Sequence, residues 1–369
     1  MISPAMDAEA FFAGSYAEAR GNFLTAAEAA RADLHEHRHP LLGRHGEPLF
    51  MDVAWLGPRD AAALLLVSSG CHGVEGYAGS GIQAALLNDA ALLAAAREAG
   101  VALLLVHALN PWGFSWGRRT TQENVDLNRN WLDFHAPLLA NPGYAALAHR
   151  LLPRRWPPSW LNEAAIALYA LRHGKRALQT AISAGQHEFP EGLFHSGTAP
   201  TWSQQTLRHV LQDHATRCRQ LGWIDLHTGL GPCGVGERIL AVAPHDAAGA
   251  ARARAWWGPG LTDVFAGTSS SAPLSGQMVA AAYQECAQAA YTGIALEFGT
   301  LPLREMLNAL REDQWFENHP EAPPARREAA RQRVFRAFFV DTPRWKQQLV
   351  TQGLQAARQA VAGLAAGMS

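Results

Sequence analysis

Two short, unbroken apolar runs constrain this chain more than any other feature. AALLLVSSG occupies 62–70 and VALLLVHAL occupies 101–109, and between them GIQAALLNDAALLAAARE at 81–98 is built from strong helix formers. Runs of this length without polar alternation suit strands covered on both faces. Strand, helix and strand at a spacing of roughly thirty residues is the βαβ pattern, which requires a parallel or mixed sheet. LFMDVAWLGP before them, GWIDL ending ahead of His227 and GIALEF reaching Glu297 supply further strands. The expected fold class is therefore α/β, a mixed, largely parallel twisted sheet flanked by helices.

The remaining segments decorate that sheet. Residues 1–40 have helical spacing and are read as an N-terminal helical segment ending near Pro40. LLPRRWPPSW reads as a surface connection, 162–183 as helical and 185–203 as a long loop of the kind that usually carries function. Together they form a helical and loop insertion at 150–220. The segment 325–369 is an Arg- and Ala-rich helical tail. With no internal repeat or low-complexity linker, one elaborated domain over 1–369 is expected in place of two.

Composition excludes several classes of function. The 31 basic and 32 acidic residues leave a charge of -1, which gives no footprint for nucleic acid or an anionic membrane. Four scattered cysteines with no C-x-x-C pair argue against a disulfide framework or a Cys-rich zinc site. The start, MISPAMDAEAFFAG, lacks the pattern of a secretory signal, and the longest apolar stretch is interrupted by Arg97, Glu98 and Gly100. A cytoplasmic location is the default expectation.

Each core strand is followed by a polar cluster. These are Cys71-His72-Gly73-Val74-Glu75-Gly76, then Asn110-Pro111 leading to Asp126-Leu127-Asn128-Arg129-Asn130, then Asp225-Leu226-His227-Thr228-Gly229, and finally Glu297-Phe298-Gly299-Thr300. Open α/β sheets place their sites at the carboxyl ends of strands, so these clusters can converge. His72 and Glu75, three apart on a helical turn, can grip one ion, and His227 is the natural third donor. Two histidines, a carboxylate and an open position make a catalytic zinc site. The stretch His35 to His39 is richer in histidine but is expected on an exposed loop.

Other residues admit two readings. Glu297 closes an apolar strand and is either the partner of an Arg or a general base. Asn128 and Arg129 suit bidentate capture of a carboxylate, or a structural bridge between loops. Arg118 or Arg119 could polarise a carbonyl, and Asp126 could orient a ligating histidine. Trp202 could line a pocket mouth, whereas Cys71 reads as a small packing residue and Cys233 stays ambiguous. Ser115, in Gly113-Phe114-Ser115-Trp116-Gly117, fits G-x-S-x-G, the basis of a rival serine hydrolase reading. It lacks the strand–turn–helix context that a nucleophile elbow needs. A non-catalytic peptide- or glycan-binding module is a second rival and predicts that a ligand or the base is missing.

H-G-V-E at 72–75, N-P-W-G at 110–113, V-D-L-N-R-N-W at 125–131, D-L-H-T at 225–228 and L-E-F-G-T at 296–300 resemble, in order, the zinc carboxypeptidase superfamily. That superfamily includes the aspartoacylase and succinylglutamate desuccinylase branch, to which D-L-H-T looks closer. The N-terminal helix and GLFHSGTAPTWS look like a bacterial branch described only as a domain of unknown function. The resemblance implies one zinc ion per chain held by His72, Glu75 and His227. It implies Glu297 as the carboxylate that activates water, and Asn128 and Arg129 as the pair that holds a terminal carboxylate. Asp126 would stand behind a ligating histidine, and Arg119, with Arg118 close behind, would polarise the carbonyl. The implied activity is amide hydrolysis next to a free carboxylate, on a peptide or an N-acyl amino acid. The superfamily's pocket-closing tyrosine has no clear counterpart: Tyr283, in SSSAPLSGQMVAAAY, is left unassigned.

Overall fold

The computed structural model describes residues 7–138 and 140–367; the outermost parts of the N-terminal segment and the C-terminal tail lie outside them. Seven strands form one sheet: β1 (Asp33–Leu42), β2 (Pro48–Leu56), β3 (Ala63–Ser68), β4 (Val101–His107), β5 (Gln220–Cys233), β6 (Gly236–Leu240) and β7 (Ala290–Gly299). Their order is β1-β2-β4-β3-β5-β7-β6. The four central strands β4, β3, β5 and β7 run parallel, and the strands at both edges are antiparallel. The sheet is thus mixed and largely parallel, flanked by helices, as the apolar runs require.

Period-two alternation divides the core. Leu65, Val67, Leu103, Leu105, Ile224 and Leu226 face one side, where they pack with the helices Tyr16–Ala29, Gly76–Leu87 and Pro343–Ala366. Leu64, Leu66, Leu104, Val106 and Trp223 face the other side, against the helices Trp202–His214 and Ala280–Glu285. A third cluster joins Tyr144, Leu147, Ile182, Met306, Leu310 and Phe338, so the inserted helices pack on the helices that follow β7.

The topology fixes where a site can form. From β3 the chain crosses to β4 on one side, then returns to lay β5 on the other side of β3. Connections leaving the carboxyl ends of β3 and β5 therefore diverge and open a crevice between them.

Three sequence expectations are corrected. Helix in the first forty residues ends at Ala29, and His35 to His39 lie on the edge strand β1, not on a loop. His35-Glu36-His37-Arg38-His39 contains no apolar residue to mark a strand, and the segment is extended because it pairs with β2 along the sheet edge; Pro40 sits in the irregularity between Arg38 and Leu42 where no ladder donor is needed. The helix expected over 81–98 is two helices, Gly76–Leu87 and Ala90–Glu98. Asp89 breaks the run by accepting a bond from Leu92 N–H as an N-cap. Among the described residues no helix is long and apolar enough to cross a membrane.

At the end of β4, His107 is buried, stacks on Phe23 and shares a 2.9 Å contact between its Nε2 and Ser80 Oγ. Burial pushes its pKa down to about 3. The unfolded chain binds this proton below about pH 6.5, but the native state does so only near pH 3, so stability is complete above that window and falls on acidification. The loss reaches about 1.4 kcal/mol per pH unit. His107→Gln, followed by urea unfolding from pH 7 to pH 4, should flatten that dependence; an unchanged slope would remove His107 as a source of acid lability.

Candidate metal centre

His72 ends the segment after β3 in an extended conformation, and Gly73–Glu75 forms a single tight turn leading into the buried helix Gly76–Leu87. Gly73 N–H and Val74 N–H donate to the carbonyls of Arg119 and Arg118, which seat the turn on a second loop. The approach is so close that a Cβ on Gly73 would lie 2.1 Å from the carbonyl carbon of Gly113, which explains the glycine between two functional residues.

The turn points His72 and Glu75 at β5. Glu75 Oε1 lies 2.8 Å from His72 Nδ1, and Glu75 Oε2 lies 3.0 Å from His227 Nδ1. The three groups form a buried cluster whose ligand atoms all lie within 4.8 Å of one another. Each imidazole is held from behind by a carboxylate. Asp126 Oδ1 is 3.1 Å from His72 Nε2, and Asp225 Oδ2 is 2.5 Å from His227 Nε2. When His227 Nε2–H donates to Asp225, its Nδ1 lone pair faces Glu75; His72 Nε2 meets both Asp126 and, at 2.7 Å, Arg119 Nη2, which can only donate. Two imidazole nitrogens and one carboxylate with an open side match the donor set of a divalent cation such as zinc.

Electrostatics agree with that arrangement. Burial works against the Glu75 charge, but His72 and His227 outweigh it and hold its pKa well below the usual range. Burial likewise opposes charge on Asp126, yet Arg119, Arg129 and His72 keep it ionised. Burial disfavours a charged His227, but Asp225 and Glu75 raise its pKa well above normal. Positive charge is therefore favoured at His227, where a proton and a metal ion would compete for the same Nδ1.

Around it lies a cavity of about 300 Å³. Arg119 reaches in from one side, donating from Nη1 to Glu75 Oε1 and from Nε to Asp126 Oδ2. Glu297 stands opposite His227 in the β5–β7 register, on the same face of the sheet. Leu230 N–H donates to its Oε1 at 2.8 Å, and burial, with repulsion from Glu75, pushes its pKa up to about 7. Asn128 and Arg129 line the same cavity. Asn128 Oδ1 accepts from Met278 N–H, which leaves the amide NH2 as the free polar end, and Arg129 is braced by the carbonyls of Ser183 and Asn128.

Other sequence candidates lie elsewhere. Arg118 turns away, donating to Gln314 and pairing with Glu317 and Asp313. Tyr283 accepts from Ala243 N–H and donates to Asp246, with no part in the cavity lining. Ser115 lies inside the helix Pro111–Trp116, where it donates to Glu47 and accepts from Arg44 N–H. Trp202 packs edge-on against His39 instead of lining the mouth. Cys71 is buried in the core and Cys233 is exposed.

Two residues of the site are absent from the sequence-derived set. Asp225 was visible in D-L-H, since residues two apart on a strand share a face. Phe194 had no such signal. It lies on the 185–203 loop with φ +54° and lines the cavity, its ring facing the guanidinium carbons of Arg119 at 5.2 Å and Arg129 at 5.5 Å. A cation–π platform of this kind keeps both guanidiniums turned toward the cavity.

Replacing Asp225 by Asn should lower zinc affinity about 10–100-fold while circular dichroism stays unchanged, because it removes the carboxylate behind a ligand. Competition against a chromophoric chelator measures this, and an affinity equal to wild type would show that Asp225 does not orient His227.

Comparison with known proteins gives the family. Solved structures with some likeness include carboxypeptidase A from Helicoverpa armigera, at 11% identity and TM-score 0.48 over 95% of this chain and 73% of that one. Thrombin activatable fibrinolysis inhibitor matches at 10% identity and TM-score 0.49 over 99% and 78%, and a metallo-carboxypeptidase from Burkholderia cenocepacia at 12% and 0.41 over 95% and 69%. No curated protein matches the sequence. The model of the family described as "Protein of unknown function (DUF2817)" matches residues 12–352, which include every residue of the candidate metal centre, and the chain belongs to that family.

Proposed function

We propose that this protein is a zinc-dependent amide hydrolase acting next to a free carboxylate, as a carboxypeptidase or an N-acyl-amino-acid deacylase. The observation that carries this reading is the shared cavity. It holds a His-Glu-His donor set and, beside it, a second carboxylate whose pKa is pushed up to about 7.

His72, Glu75 and His227 are the residues that would hold the ion. When bound, zinc supplies Lewis-acid polarisation of a carbonyl and makes water a stronger acid. Glu297 then has the role of proton carrier. Leu230 N–H fixes one of its oxygens, so the other is left to accept a proton from the attacking water and pass it to the departing amine. A carboxyl titrating near neutrality can do both. Arg119, with its guanidinium at the cluster, is the donor aimed at charge developing on the carbonyl oxygen. Arg129 and the amide of Asn128 are suited to grip the substrate carboxylate and set its distance from the scissile bond.

Most of the cavity wall is apolar. Leu178 and Ile182 contribute from the insertion, and Met306, Leu310 and Phe338 from the helices after β7. An apolar side chain or acyl chain fits such a wall, and both substrate classes provide one. The serine hydrolase reading gains no support, because the hydrogen bonds of Ser115 go to Glu47 and Arg44 and not to a base. A non-catalytic relative would lack a ligand or the base, whereas His72, Glu75, His227 and Glu297 are all present in the lining of one cavity, which favours the hydrolase.

A mass-spectrometric screen of C-terminal dipeptides against N-acyl amino acids, with metal analysis in parallel, tests the proposal. Glu297→Gln should reduce turnover by about 10²–10⁴ with zinc still bound. Unchanged turnover would remove Glu297 from the mechanism, and turnover that survives exhaustive chelation would end the zinc reading. Phe194→Ala should raise KM more than it lowers kcat, since its ring touches the carboxylate-gripping Arg129; an unaltered KM would show that the platform is not needed for binding.

A further inference from the structure

The inserted helix Trp160–His173 is unusual in having no buried residue. Its inner side rests on the rest of the molecule through Ile166 and Tyr169. Its outer side is the opposite of what a solvated helix presents. Trp160, Ala164, Ala167, Leu168 and Leu171 are all exposed, and their spacing of i, i+4, i+7, i+8 and i+11 places them on one stripe. Trp160 is 76% exposed and Leu171 is 83% exposed, so among the described residues nothing covers the stripe.

Basic residues flank the stripe. Arg154 and Arg155 precede the helix, while Arg172 and Lys175 lie at its end, all exposed. Among the described residues none of these four has an acidic partner. Residues 150–176 contain six Lys or Arg and one acid, Glu163, which pairs with Arg311. The whole-chain charge of -1 conceals this local excess.

We propose that this helix is a docking surface for an anionic lipid interface, with the apolar stripe inserted among acyl chains and the flanking bases on phosphate headgroups. An apolar face bearing Trp and Leu, ringed by Arg and Lys, is the pattern of a helix lying in the plane of a membrane surface. Charge complementarity selects the occupant. A second copy of this chain would bring the same unpaired bases together, whereas an anionic surface neutralises all of them. The inference goes beyond the proposed hydrolysis and does not depend on it. Its geometric consequence is that the next helix, Lys175–Ser183, carries Lys175 and Leu178 to the cavity, so docking would bring the cavity mouth toward the interface.

Co-sedimentation with phosphatidylserine–phosphatidylcholine vesicles, against phosphatidylcholine alone, tests the proposal. Wild type should pellet with the anionic vesicles and be released by high salt. Arg154→Glu/Arg155→Glu should weaken partitioning at least about 25-fold, taking about fivefold per basic residue. Trp160→Ser/Leu171→Ser should weaken it about tenfold or more. Circular dichroism and zinc content, unchanged in both variants, separate lost docking from lost folding. Wild type that stays in the supernatant at low salt would overturn the proposal. So would vesicle binding that neither variant alters, or concentration-dependent dimerisation abolished by Trp160→Ser/Leu171→Ser, which would assign the stripe to a second copy.

Discussion

The Glu75 carboxylate, bridging the Nδ1 atoms of His72 and His227, is the interaction around which the site is organised. Its two oxygens are divided between rings that arrive from different strands, and burial disfavours its charge, which those rings, Arg119 and the Thr228 N–H together offset. Such a group cannot be left alone in the interior: an unpaired buried carboxylate would neutralise or bring in water. The carboxylates of Asp126 and Asp225 extend the same logic outward, each fixing the far nitrogen of one ring. The result is a layered arrangement in which acids and imidazoles alternate, with Arg119 and Arg129 balancing the outer charge.

This arrangement depends on topology before it depends on side chains. His72 and His227 approach because β3 and β5 are neighbours whose connections leave in opposite directions. Glu297 joins them because β7 is the next strand over and pairs residue for residue with β5. The cavity is completed by elements far along the chain. The insertion packs on the helices after β7 and supplies one apolar wall, while the 185–203 loop brings Phe194 against two arginines.

Much of this was legible in the residues. The unbroken apolar runs required strands covered on both faces, and the polar clusters that close them marked where a site could lie. Strand-end position, more than the H-x-x-E spacing itself, distinguished His72 and Glu75 from the denser histidines at 35–39. Edge structure was harder to read, because a polar edge strand such as β1 buries little and its run of His, Glu and Arg carries no apolar alternation to set it apart from a solvated loop. Arg118 and Arg119 could not be separated by counting, since adjacent side chains diverge according to a backbone turn that only the hydrogen bonds to Gly73 and Val74 define. Phe194 left no trace because its role comes from a left-handed backbone residue in an irregular loop. The basic character of 150–176 was averaged away in a nearly neutral total.

The contact between Glu75 and His227 closes a span of 152 residues. During synthesis, His72 and Glu75 emerge early, yet their partner appears only after β3, β4 and the whole insertion have been made. Until β5 docks, the nascent chain would offer an ion just two of the three candidate donors, so tight capture would have to wait for the central sheet to assemble. Binding to the native fold but not to such partial states would make the ion a latch on the finished architecture rather than a seed for it.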